Sequence, residues 1–429
     1  AGLVEACRTV AALAEVDDRP GPPCAAMFRL GLGEGLFECC NPASVGEPEF
    51  LAQEQHISSR APTSLFPSAT AGLQLYFHRW QSDRHDRVRS AVFVHHGEVE
   101  HSGWFNALAV RLAAIGCTTY APDAQGWGQS DGARGYVSTF EDLVNDFVEF
   151  CRAKWSEVLN THSKGQAAQR PGFVLLGKGF GALVVLRALV ELQELAQASG
   201  VTPVVVLVSP GFRFASFIGE QSNVSCGFNP QQCARQPVAQ CARDGVAYAP
   251  ACAAAPSKPW SASCREPGQC PQRSGPVVDT GQHQKLEQMS NWFPKMIVTQ
   301  PVEPDMLSRD PQTVDRMCRD ALCWRQGYRS RVLAEIVQEQ SLVAESITEN
   351  AEIFERVPAL ILHGSGDKLF DVHGSHSVHS MWCDTAQRSG VFPRLKIYDG
   401  AFHQLMNEPN REEVMNDVVL FVASKASPA

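Results

Sequence analysis

Residues 173–186 read Phe-Val-Leu-Leu-Gly-Lys-Gly-Phe-Gly-Ala-Leu-Val-Val-Leu. Four apolar residues run into three glycines at alternate positions, Gly177, Gly179 and Gly181, and a helical pattern follows from Ala182 to Glu191. Strand, tight turn and helix form the frame of a nucleophile elbow, G-x-S-x-G, in which a sharp turn lifts a hydroxyl out of a strand end. The chemistry such a frame serves is attack of an activated hydroxyl on an acyl carbon. Here the central position is Gly179, so the attacking atom is missing. Lys178 offers an amine one residue out of place, and an ammonium stays protonated unless strongly desolvated. Two other stretches gather reactive residue types. His95-His-Gly-Glu-Val-Glu-His101 is dense in metal-ligand types. Cys226, Cys233, Cys241, Cys252, Cys264 and Cys270 share one segment but form no C-x-x-C pair, so a zinc site is weakly supported.

The elements that would position these residues are legible. Leu73–Trp80 alternates like a strand, and Ala91–Val94, Thr118–Pro122 and Val204–Val208 read as further strands. Phe105, Leu108, Leu112 and Ile115 give one helix its apolar face, with Gly116 as its stop. Thr139 and Asp142 have the spacing of a capping box ahead of the face formed by Phe140, Leu143, Val144, Phe147, Val148 and Cys151. The strand–helix alternation stops near Pro210. It resumes at Ala359–Leu362 and Arg394–Tyr398 and ends in a helix from Arg411. Continuous apolar strands alternating with helices imply an α/β fold, a mostly parallel sheet with helices on both faces.

The expected organisation is therefore a loosely ordered extension at 1–70, a core at 71–210 and 355–429, and a helical cap inserted at 211–354. Within the cap, the Cys-, Pro- and Ala-rich stretch 219–282 reads as a disordered loop. Trp292, Phe293, Met296 and Ile297 are candidates for a substrate pocket, a membrane-touching surface or simply the cap's own core. The 429 residues are 44% hydrophobic, enough to bury a large core, and the net charge of −9 argues against nucleic acid and against a polybasic membrane patch. The best apolar run, from Phe173 to Val190, is interrupted by Lys178 and Arg187, so no membrane-spanning helix is expected. The chain opens on Ala1, as a processed product or a fragment would, and no secretory leader pattern is read in it. An odd, scattered set of 15 cysteines favours a reducing, cytoplasmic compartment, with Cys117, Cys151 and Cys383 as buried thiols.

From about Leu73 to Ala423 the chain resembles the monoglyceride lipase and lysophospholipase branch of the α/β-hydrolases, related to serine aminopeptidase-like hydrolases. Four segments carry the resemblance. His96-Gly-Glu-Val-Glu-His-Ser-Gly103 is similar to the family's H-G-x-G-E-H-S-G, and Asp123–Gly132 to its D-x-x-G-H-G-x-S-x-G loop. Gly364-Ser-Gly-Asp367 is similar to the turn that holds the catalytic acid, and Gly400-Ala-Phe-His403 to the segment with the catalytic histidine.

The resemblance implies hydrolysis of a carboxylic ester of an acyl lipid, with no cofactor and no metal. It implies a nucleophile at position 179, His403 as the base, Asp367 as the acid that orients it (Asp371 as fallback), and the backbone N–H groups of Glu98 and Phe180 as oxyanion donors. The histidine-rich stretch coincides with the oxyanion loop, so a metal is not expected there. Ser102, Ser130 and Ser209 fall at structural positions of the family. Two departures follow. Gly179 removes the nucleophile and also the strain that a side chain suffers in an elbow. Glu98 stands where a small or apolar residue is usual, and its carboxylate is expected to turn towards solvent, because a negative charge opposes an oxyanion. The resulting expectation is a lipase-like fold with impaired catalysis. The rival readings are a hydrolase in which His403 and Asp367 activate water directly, and a non-catalytic lipid- or protein-binding module. Contact of the cap with a membrane periphery is a further expectation.

Overall fold

A computed structural model describes residues 64–81, 88–162, 170–215 and 280–425. The expected extension up to residue 63, and the expected loop at 219–282 apart from its last three residues, lie outside the described residues.

Eight strands form one sheet in the order β1-β2-β4-β3-β5-β6-β7-β8. They are β1 (Ser64–Pro67), β2 (Gln74–Trp80), β3 (Ser90–His95), β4 (Cys117–Pro122), β5 (Gly172–Gly179), β6 (Val204–Pro210), β7 (Ala359–Gly364) and β8 (Arg394–Tyr398). From β4 to β8 the pairing is parallel, while β2 pairs antiparallel with both β1 and β4. The sheet therefore begins inside the stretch expected to be an extension. Ser64–Pro67 is short and alternates partly buried and exposed residues, so its apolar pattern is too weak to separate from loop.

The helices are α1 (Asn106–Ala114), α2 (Phe140–His162), α3 (Gly181–Glu191), α4 (Gln193–Ser199), α5 (Thr280–Trp292), α6 (Pro311–Arg319), α7 (Ser330–Glu349), α8 (Ala351–Phe354), α9 (Val372–Thr385) and α10 (Arg411–Lys425). The capping box ahead of α2 is made in both directions: Asp142 N–H donates to Thr139 Oγ1 at 3.3 Å, and Thr139 N–H to Asp142 Oδ2 at 3.0 Å.

Alternation along the parallel strands divides the core between the two faces of the sheet. On one face Phe93, Tyr120, Phe173, Leu175, Val205 and Ile361 pack against α2, α3, the cap helix α7 and α9. On the other, Val92, Val94, Val174, Leu176, Val206 and Leu360 pack against α1 and α10. Each such side chain, fully buried, contributes about 1.5–3 kcal/mol of transfer free energy. The strands are thereby held rigidly, and their carboxyl ends deliver Gly179, Ser209 and Gly364 to one edge of the sheet. Cys117, Cys151 and Cys383 are buried and in no disulfide. No helix among the described residues is long and apolar enough to cross a membrane.

Candidate active site

The elbow is built as its glycines require. Gly179 ends β5 with φ +54°, in the left-handed region, and α3 starts two residues later. A Cβ on Gly181 would lie 2.4 Å from the carbonyl oxygen of His96, so the helix can approach β3 closely only with glycine there. The register between β5 and β6 slips between Lys178 and Gly179, and Gly211 N–H donates to the Gly179 carbonyl at 2.8 Å. Ser209 has φ +44°, the one positive φ outside glycine among the described residues. Its Oγ donates to the His403 carbonyl at 2.8 Å, tying the histidine loop to the end of β6.

His403 and Asp367 meet. His403 Nδ1 donates to Asp367 Oδ2 at 2.9 Å, and both side chains are fully buried. Asp367 Oδ1 accepts from the backbone N–H groups of Leu369 at 2.8 Å and Phe370 at 3.0 Å. A second imidazole, unnoticed in the sequence, faces the same carboxylate: His363 Nε2 lies 3.2 Å from Asp367 Oδ2. The other nitrogen of that ring, Nδ1, is 2.6 Å from Ser375 Oγ. Burial alone would raise the Asp367 carboxyl. The facing His403 and the hydrogen bonds from His363 and His403 outweigh it and hold Asp367 well below the usual carboxylate range. His363 directly precedes the Gly-Ser-Gly-Asp turn, so its position at the end of a strand was the available signal.

Asp371, the fallback acid, is engaged elsewhere. It caps α9 by accepting from His373 N–H at 2.9 Å and pairs with Arg213 at 3.2 Å.

Glu98 departs most from expectation. Its side chain does not turn to solvent; it is 2% exposed and points into the elbow. Glu98 Oε2 accepts from Phe180 N–H at 3.0 Å, and the carboxylate also accepts from the Glu98 backbone N–H. Both expected oxyanion donors are therefore taken by this one carboxylate. It also fills the space of the absent side chain: a Cβ on Gly179 would stand 2.4 Å from Glu98 Oε2. The second oxygen, Oε1, lies 4.0 Å from His403 Nε2. Burial raises the Glu98 carboxyl above its ordinary range, and His403, the two N–H groups and Lys178 only partly offset this. The lack of a side chain at Gly179 explains where the carboxylate lies. With no side chain there, two N–H donors face an empty corner, and a carboxylate inside the corner satisfies both.

Lys178 lies away from this corner. Its ammonium is fully buried and pairs with Glu100 Oε2 at 2.5 Å and with Gln404 Oε1 at 2.7 Å. Burial would raise Glu100, but Lys178 and Gln404 hold it at about 2. Glu100 Oε1 accepts from Gly97 N–H at 3.2 Å, which fixes the loop that carries Glu98.

The remaining candidates have structural partners. Ser102 Oγ donates to Asp123 Oδ1 at 2.5 Å and Ser130 Oγ to the Asp123 carbonyl at 2.6 Å. His96 Nε2 accepts from Ala124 N–H at 2.9 Å. His95 is buried, and desolvation lowers it to about 3, so it is neutral. His101 lies close to Asp320 and Cys323 of the cap, three ligand types in one place. But Gly103 N–H donates to His101 Nδ1 at 3.2 Å, so Nε2 carries the proton and donates to Asp320 at 2.9 Å. The nitrogen facing the cluster has no free lone pair for a cation, and the cluster serves to fasten cap to core.

Trp292, Phe293 and Met296 do not line the site. They are 77%, 60% and 44% exposed, at the end of α5 and just beyond it. A cavity of about 10 Å³ beside Glu98 is lined instead by residues of both core and cap, among them Val99, Trp127, Val302, Trp324, Tyr328 and Val332. These cap residues belong to α7 and the loops before it, where the sequence shows no pattern that separates lining from packing.

A central sheet with this strand order, an elbow at the end of β5 and an acid–histidine pair on the loops after β7 and β8 define an α/β-hydrolase. The family model described as serine aminopeptidase, S33, matches residues 86–225 and 247–410, and the chain belongs to that hydrolase family. It is 23% identical to a monoacylglycerol lipase of Mycolicibacterium smegmatis over 360 residues, 83% of this chain and 95% of the relative. It is also 23% identical to the monoglyceride lipase of Homo sapiens over 346 residues, 80% of this chain and 84% of that one. A soluble variant of the Saccharomyces cerevisiae monoglyceride lipase, solved with a substrate analog, superposes with a TM-score of 0.58 at 15% identity, covering 86% of this chain and 98% of the other. The branch is thus monoacylglycerol lipase-like.

Proposed function

We propose that this chain is a monoacylglycerol lipase-like protein in which the serine route to ester hydrolysis is closed, while a place for an apolar acyl ligand is kept between core and cap. One observation carries the reading: the Glu98 carboxylate occupies both the space of a nucleophile at 179 and the Phe180 N–H. Acyl transfer needs a hydroxyl at that point and free donors for the oxyanion. A carboxylate held by the donors resembles a bound acid product, so the corner is filled by the protein itself. The names of the relatives, and the apolar side chains that core and cap present to each other beside Glu98, support an acyl chain as ligand. The cavity of about 10 Å³ between them has room for about one water, so binding requires the cap to move off the core. The exposed cluster of Trp292, Phe293, Met296 and Ile297 supports contact of the cap with a lipid surface.

Labelling with a fluorophosphonate probe tests the reading. The unmodified chain and Gly179→Ser alone are expected to remain unlabelled, because the new side chain meets Glu98. Glu98→Ala combined with Gly179→Ser is expected to label. Labelling of the unmodified chain at any serine would overturn the proposal. Ester turnover without an adduct, abolished by His403→Ala, would replace it with direct activation of water by His403 and Asp367.

A further inference from the structure

Helix α9 opens with Asp371-Val-His-Gly-Ser-His376, and its first turns carry two exposed imidazoles, His373 and His376. Residues at this spacing are neighbours on one helix surface. The two ring centres are 6.4 Å apart and the ring planes are inclined by 50°. His373 does not hang free in solvent. Its Nδ1 lies 2.7 Å from Asp371 Oδ1. A carboxylate only accepts, so Nδ1 carries the proton and Nε2 keeps its lone pair. Asp371 is itself fixed: Oδ1 also accepts from His373 N–H at 2.9 Å, and Oδ2 pairs with Arg213 at 3.2 Å. An imidazole whose far nitrogen is held by a carboxylate is set up for a metal ion, with tautomer and ring direction already chosen. His376 makes no hydrogen bond or ion pair among the described residues, so either of its nitrogens can serve as a ligand.

We propose that His373 and His376 form a binding site for a divalent transition-metal ion of the zinc, nickel and copper kind, with water completing its shell. The reading of the elbow plays no part in this. Imidazole nitrogen is a preferred ligand of these ions. An ion about 2.0–2.1 Å from each Nε2 holds the two ring centres about 5–6 Å apart. The rings stand just beyond that separation. Both are exposed, so rotation about their side-chain torsions closes the site without moving the helix. The next histidine along, His379, is engaged elsewhere: its Nε2 lies 3.2 Å from the Pro393 carbonyl and 3.6 Å from Cys383 Sγ.

The place of the pair gives the ion something to act on. Between the two ligands lies Ser375, fully buried, with Oγ 2.6 Å from Nδ1 of His363. His363 is the second imidazole at the Asp367 carboxylate, with Nε2 3.2 Å from Oδ2. An ion bridging residues 373 and 376 closes the helix turn across Ser375. The site is thus a clamp on the segment that supports Asp367 from behind.

Modification of the full chain by diethyl pyrocarbonate, read peptide by peptide in rising Ni²⁺, tests this. His373 and His376 are expected to lose reactivity together, at the same ion concentration, and to regain it when a chelator is added. Calorimetric titration with Ni²⁺ is expected to show a binding step in the unmodified chain that is missing when His373→Ala and His376→Ala are combined. Asp371→Asn keeps a good cap residue for α9 and loses only the carboxylate that orients His373. It is expected to weaken the same step by about 10-fold or more. Protection of neither histidine, protection of one alone, equal Ni²⁺ uptake by the double variant, or unchanged affinity in Asp371→Asn would overturn the proposal. The modification result needs no variant, so a misfolded substitution cannot hide the answer. None of these outcomes bears on the serine reading, which is tested by the fluorophosphonate probe.

Discussion

Glu98 and Glu100 are two residues apart, both almost wholly buried, and opposite in every electrostatic respect. Glu100 meets the Lys178 ammonium at 2.5 Å, and its carboxyl is held at about 2. Glu98 meets two N–H groups and an imidazole, and burial drives its carboxyl upwards. Their partners, Lys178 and Gly179, are also neighbours in sequence and face different ways at the end of β5. The contrast separates structure from chemistry along one short loop. The pair that is fully compensated holds the loop in place, and the group that is under-compensated sits where reaction would occur.

Breaking the compensated pair should have the largest effect. Lys178→Met leaves Glu100 buried and unpaired, and a loss of about 3–5 kcal/mol is expected in urea unfolding. Adding Glu100→Leu should return most of that loss, because the stranded charge is then gone as well. Failure of the second change to recover stability would mean the two side chains do not act as a pair.

Filling position 179 comes next. Gly179→Ser puts a side chain at φ +54° and a Cβ against Glu98, with an expected cost of ~1–3 kcal/mol. In a Glu98→Ala background the cost should shrink to the backbone strain alone. Equal costs in both backgrounds would show that Glu98 does not fill the corner.

The two carboxylates should also give pH dependences of opposite sign. The Glu100 carboxyl lies lower in the fold than its ordinary 4.5, at about 2, so its contribution is present above 4.5 and is lost as pH falls towards 2. Glu98 lies above 4.5, so it binds its proton more tightly when folded, and stability declines as pH rises from 4.5 through its raised value. Glu100→Gln should flatten the acid limb of a plot of melting temperature against pH, and Glu98→Gln the limb above it. Changes on the same limb would contradict the assignment.

The smallest effect distinguishes the two aspartates. Asp371→Ala removes the cap of α9 and should cost about 0.5–2 kcal/mol. It should leave probe labelling of the Glu98→Ala, Gly179→Ser variant intact, whereas Asp367→Asn in that variant should abolish it. Loss of labelling in both would return Asp371 to the site.

The parallel strands, their two-sided burial and the helices on both faces were legible because hydrophobic period follows from backbone geometry and needs no partner. The antiparallel first strand was not, since four half-exposed residues carry too little pattern. At the site, Gly179 could be named from the glycine turn between a strand and a helix, and Asp367 and His403 from the resemblance of their short glycine-bearing segments to those of a known family. His363 was signalled only by its place at a strand end just before the aspartate's turn, and Tyr328 by nothing, because a tyrosine in a cap loop is ordinary until something faces it.

By itself the sequence determined that position 179 has no side chain, and so no hydroxyl to form an acyl-enzyme. Only the tertiary structure decided where the Glu98 carboxylate lies. Rotamer choice depends on which donors and which empty volume surround a side chain. Those came from β5, the His403 loop and the cap, elements distant in the chain and brought together only by the packed sheet.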